Sequence, residues 1–349
     1  MSLALETKKF INSQYVGSYV DITAYYADPS AAKAAAAAEA AAAPVETAPA
    51  AEEDVPPAQP DDATPAAGEA PTEGAPLEAA VRGEETVRLH YVDEGEGEPV
   101  LLVHAPGQSL YTWRALFPEL AKRFRVIALD MPGHGYSSRL QHVGYTIPEM
   151  ADVLVAFMER LGIVGANVVG FSMASAYVLE AAAKAPERFS RIAVINPGGV
   201  TAGMPLSIRM LETPLFGFVS ATLFNMRTLN KCLSSCLFDL TVLTPDVEEQ
   251  YYATLADSAS RRAVRHCFAQ FYEEDLLLKL REVETFTLVL HSTEDKWHTS
   301  EHAELYHAGL RNAVRAEIRN AGHLVHEEKP VRVAETLTTF FPGGAQAED

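Results

Sequence analysis

From residue 82 onward, short apolar runs alternate along the chain with longer segments of helical periodicity. Runs of about five residues without interruption are typical of strands that are buried on both faces, as in parallel sheets covered by helices. The pattern therefore predicts an α/β fold with a doubly wound, mostly parallel sheet. The predicted strands are 87–93, 100–104, 125–130, 167–171, 191–196, 285–291 and 315–319, and the predicted helices are 111–123, 147–161 and 173–185.

One long interruption breaks this alternation, between the strand at 191–196 and the strand at 285–291. Residues 200–282 are rich in Leu, Phe and Met and have helical spacing. We expect a helical cap over one end of the sheet, inserted in a domain that spans 82–345. Apolar cap residues such as Met204 are candidates for lining a substrate pocket.

A second change in composition separates this domain from the N-terminus. Residues 31–80 contain no aromatic residue, no Ile and no Met, and their ten acidic residues and one basic residue carry −9 of the formal net charge of −19. Such a segment buries too little apolar surface to offset the entropy of ordering. We predict an extended, disordered, acidic linker there.

Residues 1–30 have a different character, because aromatic and aliphatic residues recur among them. Ile11, Tyr15, Tyr19, Ile22 and Tyr26 stand near a spacing of three to four. This spacing fits a short amphipathic helix that docks on a protein partner. A disordered tail, or an arm packed on the chain's own domain, fits the same residues, so the sequence leaves these alternatives open.

Composition also excludes some functions and suggests a compartment. The acidic net charge disfavours nucleic-acid binding. The chain has no apolar run long enough to span a membrane, and its N-terminus lacks the layout of a secretory signal. Three cysteines, Cys232, Cys236 and Cys267, make no disulfide framework and lack partners at zinc-ligand spacing. We expect a cytoplasmic protein without a metal or organic cofactor.

The strongest local signal is the segment Gly170–Ala174, which reads GFSMA at the junction of a predicted strand and helix. A nucleophile elbow places Ser on a sharp, strained turn, and small residues two positions before and after it avoid clashes. The following helix directs its N-terminal N–H groups at the group that the Ser attacks. Ser172 is thus a candidate nucleophile, although a serine that only caps a helix would give the same local pattern.

An acid and a histidine follow Ser172 in the order that a triad on such a sheet requires. Asp295 comes after the strand at 285–291, and His323 comes after the strand at 315–319. His323 would accept the proton of Ser172, and Asp295 would hold the imidazole in the correct tautomer. His326, three residues further on, is the alternative base.

These motifs together resemble the α/β-hydrolase-fold superfamily, in its branch with a serine nucleophile and a helical cap. Residues 100–138 (VLLVHAPGQSLYTWRALFPELAKRFRVIALDMPGHGYSS) resemble the family's oxyanion segment and its D-x-P-G-x-G-x-S loop. Residues 287–297 and 320–341 resemble its acid and histidine blocks. The resemblance implies the triad Ser172, Asp295 and His323. Haloalkane dehalogenases and epoxide hydrolases, which use an Asp nucleophile, are disfavoured because position 172 is Ser.

The oxyanion segment departs from the family pattern His-Gly-x, because this chain has Ala105, Pro106 and Gly107 after its histidine. An ungapped count puts Pro106 at the donor position, and proline has no N–H. Met173 would supply one donor. The second would come from Gly107 after a shift of the loop, from the side chain of Gln108, or would be missing.

The expected function is a serine hydrolase that cleaves a small to medium apolar ester, or a related acyl substrate, through an acyl-enzyme on Ser172. Phe171, Trp297 and Met204 are candidates for binding the small-molecule substrate. Carbon–carbon bond hydrolysis is a related chemistry that the sequence does not separate from ester hydrolysis. A ligand-binding or scaffold protein that retains the triad is the alternative, favoured by Pro106 and by the N-terminal arm.

Overall fold

The computed structural model describes residues 17–27, 82–142, 144–199, 224–269 and 276–343. Eight strands in these ranges form one sheet. Their bounds are β1 Ser18–Ala27, β2 Arg82–Glu94, β3 Pro99–Val103, β4 Arg125–Leu129, β5 Ala166–Phe171, β6 Phe189–Ile195, β7 Thr287–Ser292 and β8 Ala313–Ile318.

The sheet has the strand order β1-β2-β4-β3-β5-β6-β7-β8. From β4 to β8 every neighbouring pair is parallel, whereas β2 pairs with β4 in the antiparallel sense. The predicted α/β class with a mostly parallel sheet is therefore confirmed. Parallel order brings the carboxyl ends of β5, β7 and β8 to the same edge of the sheet, where the predicted nucleophile, acid and base follow their strands.

The helices connect these strands and cover the sheet. Their bounds in the described ranges are α1 Phe117–Leu120, α2 Ile147–Arg160, α3 Ala174–Lys184, α4 Met226–Cys236, α5 Pro245–Leu255, α6 Ser258–Ala269, α7 Leu276–Lys279, α8 Ser300–Gly309, α9 Val325–Glu328 and α10 Pro330–Phe340. The helix predicted over 111–123 is instead a 3₁₀ turn, Leu110–Trp113, followed by α1. Pro118 lacks the N–H that a continuous helix would need at this position. It is tolerated in the first turn of α1, so a separate helix begins here.

Two apolar clusters lie on the two faces of the sheet. Along β3, Leu101 and Val103 belong to one cluster, and Val100 and Leu102 belong to the other. All four side chains are fully buried. Alternate residues of the strand thus face opposite layers, which explains why β3 has an unbroken apolar sequence rather than a polar alternation.

The N-terminal segment differs from its helical interpretation, because residues 18–27 form the edge strand β1. Ile22 and Ala24 are buried in the core, and Val20 and Tyr26 pack against it, whereas the residues between them face outward. This is the two-residue period of a strand. The aromatic spacing of three to four suggested a helix, but burial follows the smaller apolar residues. Of the alternatives that the sequence left open, an arm packed on the chain's own domain is the one that fits residues 18–27.

In the described part of this insertion, four helices, α4 to α7, follow β6 and precede β7. Residues 200–223 and 270–275 lie outside the described residues, so the expected cap bounds of 200–282 and the position of Met204 stay predictions. The linker at 31–80 and residues 1–16 also lie outside them. No helix in the described ranges has the length and apolarity needed to cross a membrane. The three cysteines are free thiols, and Cys232 is exposed.

Candidate active site

Ser172 occupies the turn between β5 and α3. Its φ of 53° lies in the left-handed region, which is strained for a residue with a side chain. The turn is fixed by a hydrogen bond of 2.9 Å from the Ser172 N–H to the Ile195 carbonyl oxygen of β6. A Cβ at position 170 would come within 2.9 Å of the Ser175 Cα, so glycine is required there. The local geometry is that of a nucleophile elbow, as the sequence predicts.

The structure brings Ser172, His323 and Asp295 together in one hydrogen-bonded chain. The Ser172 Oγ lies 3.1 Å from the His323 Nε2, and the His323 Nδ1 lies 2.7 Å from the Asp295 Oδ2. All three residues are buried. Residues separated by 151 positions meet here because β5, β7 and β8 end at the same edge of the sheet.

Asp295 is held by backbone as well as by His323. Its Oδ1 accepts hydrogen bonds from the N–H groups of Trp297, at 2.7 Å, and His298, at 3.0 Å. Burial opposes ionisation of Asp295, but its charge interaction and hydrogen bond with His323, together with His298, outweigh burial and lower its pKa. The ionised carboxylate leaves Oδ2 to accept the proton on Nδ1, so Nε2 of His323 is the nitrogen that can accept a proton from Ser172.

Two polar residues that the sequence reasoning did not identify position the His323 loop. The Asn196 Nδ2 donates to the His323 carbonyl oxygen and to the Ser292 Oγ, each at 2.8 Å. The Ser292 Oγ donates in turn to the Gly322 carbonyl oxygen at 2.6 Å. Asn196 and Ser292 stand at the carboxyl ends of β6 and β7. A polar residue directly after an apolar strand was the available signal for this role.

His326, the alternative base, belongs to a different buried cluster. Its Nε2 lies 2.7 Å from the Thr112 Oγ1, and Thr112 donates in turn to the Glu327 Oε1 at 2.7 Å. Tyr251 of helix α5 also donates to Glu327, and Arg114 pairs with the same carboxylate at 2.7 Å. Burial lowers the pKa of His326 to about 3. His326 therefore anchors the segment after His323, and His323 is the base that the geometry favours.

The segment Ala105–Gln108 forms a tight turn with Pro106 and Gly107 at its centre. The Gln108 N–H donates to the Ala105 carbonyl oxygen at 3.2 Å, and Gly107 has a φ of 82°. Proline followed by a residue of positive φ defines a type II turn. The Ala105 N–H already donates to the Gln108 Oε1 at 3.3 Å. Since Pro106 has no N–H, the Gly107 N–H is the backbone donor of this turn that remains for an oxyanion.

His104 holds this turn against the loop that follows β4. Its Nε2 accepts the N–H of Met131 at 2.9 Å, so its Nδ1 carries the proton and donates to the Ala105 carbonyl oxygen at 2.9 Å. Burial lowers the pKa of His104, which keeps the imidazole neutral in this arrangement. The histidine orients the turn and does not reach Ser172.

A family model described as the alpha/beta hydrolase fold matches residues 98–330, which is most of the chain and includes every element of this site. This chain belongs to the alpha/beta hydrolase fold family. The matched residues begin just before β3 and end at the first residue of α10.

Two relatives align with about three quarters of this chain. An uncharacterized hydrolase, YugF, of Bacillus subtilis is 26% identical over 257 residues, covering 72% of this chain and 92% of the relative. A 2-hydroxy-6-oxo-6-phenylhexa-2,4-dienoate hydrolase of Burkholderia cepacia is 26% identical over 274 residues, covering 75% and 94%. The crystal structure of the enol-lactonase from Burkholderia xenovorans LB400 superposes with a TM-score of 0.63 at 23% identity, covering 73% and 96%, and shows the shared fold.

The three predicted substrate-binding residues have different surroundings. Phe171 is almost fully buried, and its ring centroid lies 4.8 Å from that of His323 and 4.4 Å from that of His326. Trp297 is half-buried and stacks on His323 at 5.6 Å, with its Nε1 donating to the Ser235 Oγ of α4 at 3.3 Å. Met204 lies outside the described residues. Trp297 therefore has the exposure that a substrate contact requires, whereas Phe171 packs against the two imidazoles in the core.

One group of side chains at this site has the chemistry of metal ligands. Asp295, His298 and His323 each offer one ligand atom, and these atoms lie within 4.8 Å of one another. His298 is buried, and burial lowers its pKa to about 3, so its imidazole is neutral. Two imidazoles and one carboxylate are donors that suit a transition metal.

Proposed function

We propose that this protein is a serine hydrolase that cleaves a small to medium apolar ester, or a related acyl substrate, through an acyl-enzyme on Ser172. The observation that carries the proposal is the continuous chain from the Ser172 Oγ through both nitrogens of His323 to Asp295, at 3.1 and 2.7 Å. This chain starts at an elbow whose left-handed backbone presents the serine at the end of β5.

The first half of the reaction forms the acyl-enzyme. The Ser172 Oγ attacks the substrate carbonyl carbon while the His323 Nε2 takes its proton. Asp295 stabilises the resulting imidazolium through its Oδ2. When the tetrahedral intermediate collapses, the imidazolium gives that proton to the departing alkoxide, which leaves as the alcohol.

The second half releases the acid and restores the enzyme. His323 takes a proton from a water molecule as the water oxygen attacks the acyl carbon, and the Ser172 oxygen leaves with the proton returned by His323. In both halves, negative charge develops on the former carbonyl oxygen. The N–H groups of Met173, at the start of α3, and of Gly107 are the donors that we assign to this oxyanion.

Carbon–carbon bond hydrolysis is the second candidate, favoured by the relative from Burkholderia cepacia, whose name specifies a dienoate hydrolase and which aligns with 75% of this chain. That reaction would use the same three side chains. A scaffold protein that keeps the triad without turnover is the non-enzymatic alternative. It loses its main sequence argument if Gly107 replaces Pro106 as the second donor.

Labelling and turnover test the proposal directly. The full chain is treated with a fluorophosphonate, digested and mapped by mass spectrometry, and Ser172→Ala serves as the unlabelled control. We expect Ser172 alone to be labelled, and p-nitrophenyl esters to be hydrolysed by the unmodified chain only. Labelling elsewhere would refute the nucleophile, and labelling of Ser172 without ester turnover would favour the carbon–carbon chemistry or the binding alternative.

The surrounding assignments are part of the same proposal. We propose that helices α4 to α7 belong to a cap over the site, because Tyr251 and Ser235 reach from them to the segments that carry His323 and Asp295. The acidic segment 31–80 acts as a linker, residues before β1 remain a candidate contact for a protein partner, and the protein acts in the cytoplasm.

A further inference from the structure

His298 is a buried imidazole beside the triad that the proposed mechanism does not use. Its ring centroid lies 4.9 Å from that of His323, and its backbone N–H donates to the Asp295 Oδ1. The turn that holds Asp295 therefore also fixes His298 next to the acid–base pair. The imidazole of His298 is thus a third potential ligand, close to a carboxylate and an imidazole that already contact each other.

We propose that Asp295, His298 and His323 form a binding site for Zn²⁺, and that the bound ion inactivates the triad. The proposal rests on the proposed function, because the loss of activity presupposes that His323 is the base. One ligand atom from each residue lies within 4.8 Å of the others. Ligands of tetrahedral zinc stand about 2.0–2.1 Å from the ion and about 3.3 Å from each other.

Small side-chain movements convert the observed arrangement into that geometry. The His323 Nδ1 and Asp295 Oδ2 are 2.7 Å apart and must separate slightly, whereas His298 must approach them. The backbone N–H groups that hold the Asp295 Oδ1 need not break, because Oδ2 faces His323. The carboxylate would thus keep its orientation while Oδ2 exchanges a proton donor for the ion.

The donor set selects the class of ion. Two imidazole nitrogens and one carboxylate oxygen suit zinc, whereas Ca²⁺ prefers six to eight oxygen ligands and Mg²⁺ an octahedron of oxygens. Three protein ligands leave the fourth position of a tetrahedral ion for water. Ca²⁺ and Mg²⁺, tested at the same concentration as Zn²⁺, therefore serve as controls for the specificity of binding.

Inactivation follows because a neutral imidazole carries one N–H proton and one free lone pair on its two nitrogens. If the ion binds the Nδ1 of His323, the single proton of the neutral ring resides on Nε2, which then has no lone pair for the Ser172 proton. If the ion binds Nε2, it occupies that lone pair itself. In either mode the base is lost while Ser172 and the fold remain in place.

Zinc binding is measured first, independently of activity, by calorimetric titration of the full chain and of Ser172→Ala. We expect one ion per chain in both, and more than about tenfold weaker binding in His298→Asn, since even outer-shell partners of metal ligands are worth about 10- to 100-fold in affinity. His302→Asn is the matched control, because the His302 ring packs edge-on against that of His298 at 5.2 Å but is outside the three-ligand group. It should bind zinc as the parent chain does.

Inhibition and spectroscopy complete the test. Zinc should stop p-nitrophenyl ester turnover of the parent chain and of His302→Asn, EDTA should restore it, Mg²⁺ should have no effect, and His298→Asn should resist zinc. Equal zinc affinity in His298→Asn and the parent chain would overturn the proposal. So would a thiolate charge-transfer band in the Co²⁺-loaded protein, because it would place the ion on Cys232 and Cys236.

The binding and activity arms separate this proposal from the proposed function. Binding that depends on His298, in a chain without ester turnover, would support the metal site and refute the esterase. Ester turnover in a chain that binds no zinc would do the reverse.

Discussion

Among the residues that the structure describes, two buried aspartate–histidine pairs share the same contact between Nδ1 and Oδ2, His323–Asp295 and His90–Asp130. In each pair the histidine Nδ1 lies 2.7 Å from the aspartate Oδ2. Each carboxylate also accepts two backbone N–H groups, from Leu110 and Tyr136 for Asp130, and from Trp297 and His298 for Asp295. Hydrogen bonds to the partner histidine help to lower the pKa of both acids against the effect of burial.

The two pairs differ at the second nitrogen of the imidazole. The His323 Nε2 faces the Ser172 Oγ at 3.1 Å. The Nε2 of His90 instead lies against Gly17, where a Cβ would overlap the ring, and Tyr19 packs on that ring at 5.1 Å. Within the described part of the chain, this nitrogen has no hydrogen-bond partner. An oriented imidazole is thus common to both sites, and only the neighbour at Nε2 makes one of them a candidate base.

The largest expected effect is on ester turnover, which should fall when His323 is replaced and persist when His90 is replaced. His323→Ala should lower turnover of activated esters by about 10⁴- to 10⁶-fold, the range seen when members of a catalytic triad are removed. His90→Ala should keep the reaction, because His90 does not reach Ser172. Steady-state kinetics on folded variants, checked by circular dichroism, decide this. Retained turnover in His323→Ala with loss in His90→Ala would reverse the assignment.

The two acids provide the next comparison. Asp295→Asn should cost about 10⁴-fold in turnover, because an amide stabilises the wrong tautomer of the base and cannot balance the imidazolium. Asp130→Asn should change stability more than turnover. The variant that combines His323→Ala with Asp295→Asn should be little slower than His323→Ala alone, since triad members act as a unit. Similar losses of turnover in both single aspartate variants would show that the pairs are not distinct in function.

His90→Ala should reveal what the second pair contributes. Truncation leaves Asp130 buried with one hydrogen bond fewer and opens a cavity under β1, so we expect the free energy of unfolding to fall by about 2–5 kcal/mol. Chemical denaturation measures this fall. An unchanged midpoint would mean that the pair is dispensable for the fold.

The smallest effect concerns the contact between β1 and His90. Gly17→Ala should lower the free energy of unfolding by about 1–3 kcal/mol, because the added methyl group must displace the buried imidazole or the strand. Ser18→Ala, at the exposed neighbouring position, is the control. Turnover should be the same in both variants. A thermal midpoint that does not distinguish Gly17→Ala from Ser18→Ala would show that β1 does not press on His90.

The sequence predicted the features that depend on local patterns, and it missed those that depend on contacts between distant strands. The order of apolar strands and the strained motif around Ser172 are local patterns, and they predicted the sheet and the elbow. The edge strand β1 was missed because its aromatic residues obscured a two-residue period, and because 54 residues separate it from the strand beside which it lies. Asn196 and Ser292 were missed because their partners come from different strands.

The sequence by itself determined the α/β class, the place of the candidate nucleophile and the order in which a candidate acid and base follow it. These features depend on the periodicity of apolar residues and on the residues that follow each strand, which are patterns of about ten neighbouring residues. Only the tertiary structure favoured His323 over His326 as the candidate base, left the Gly107 N–H as the backbone donor of its turn for a candidate oxyanion hole, and distinguished the His323–Asp295 pair from His90–Asp130. Each of these depends on which atom faces a particular nitrogen or oxygen at about 3 Å. Packing between distant segments sets that distance, and no local pattern encodes it.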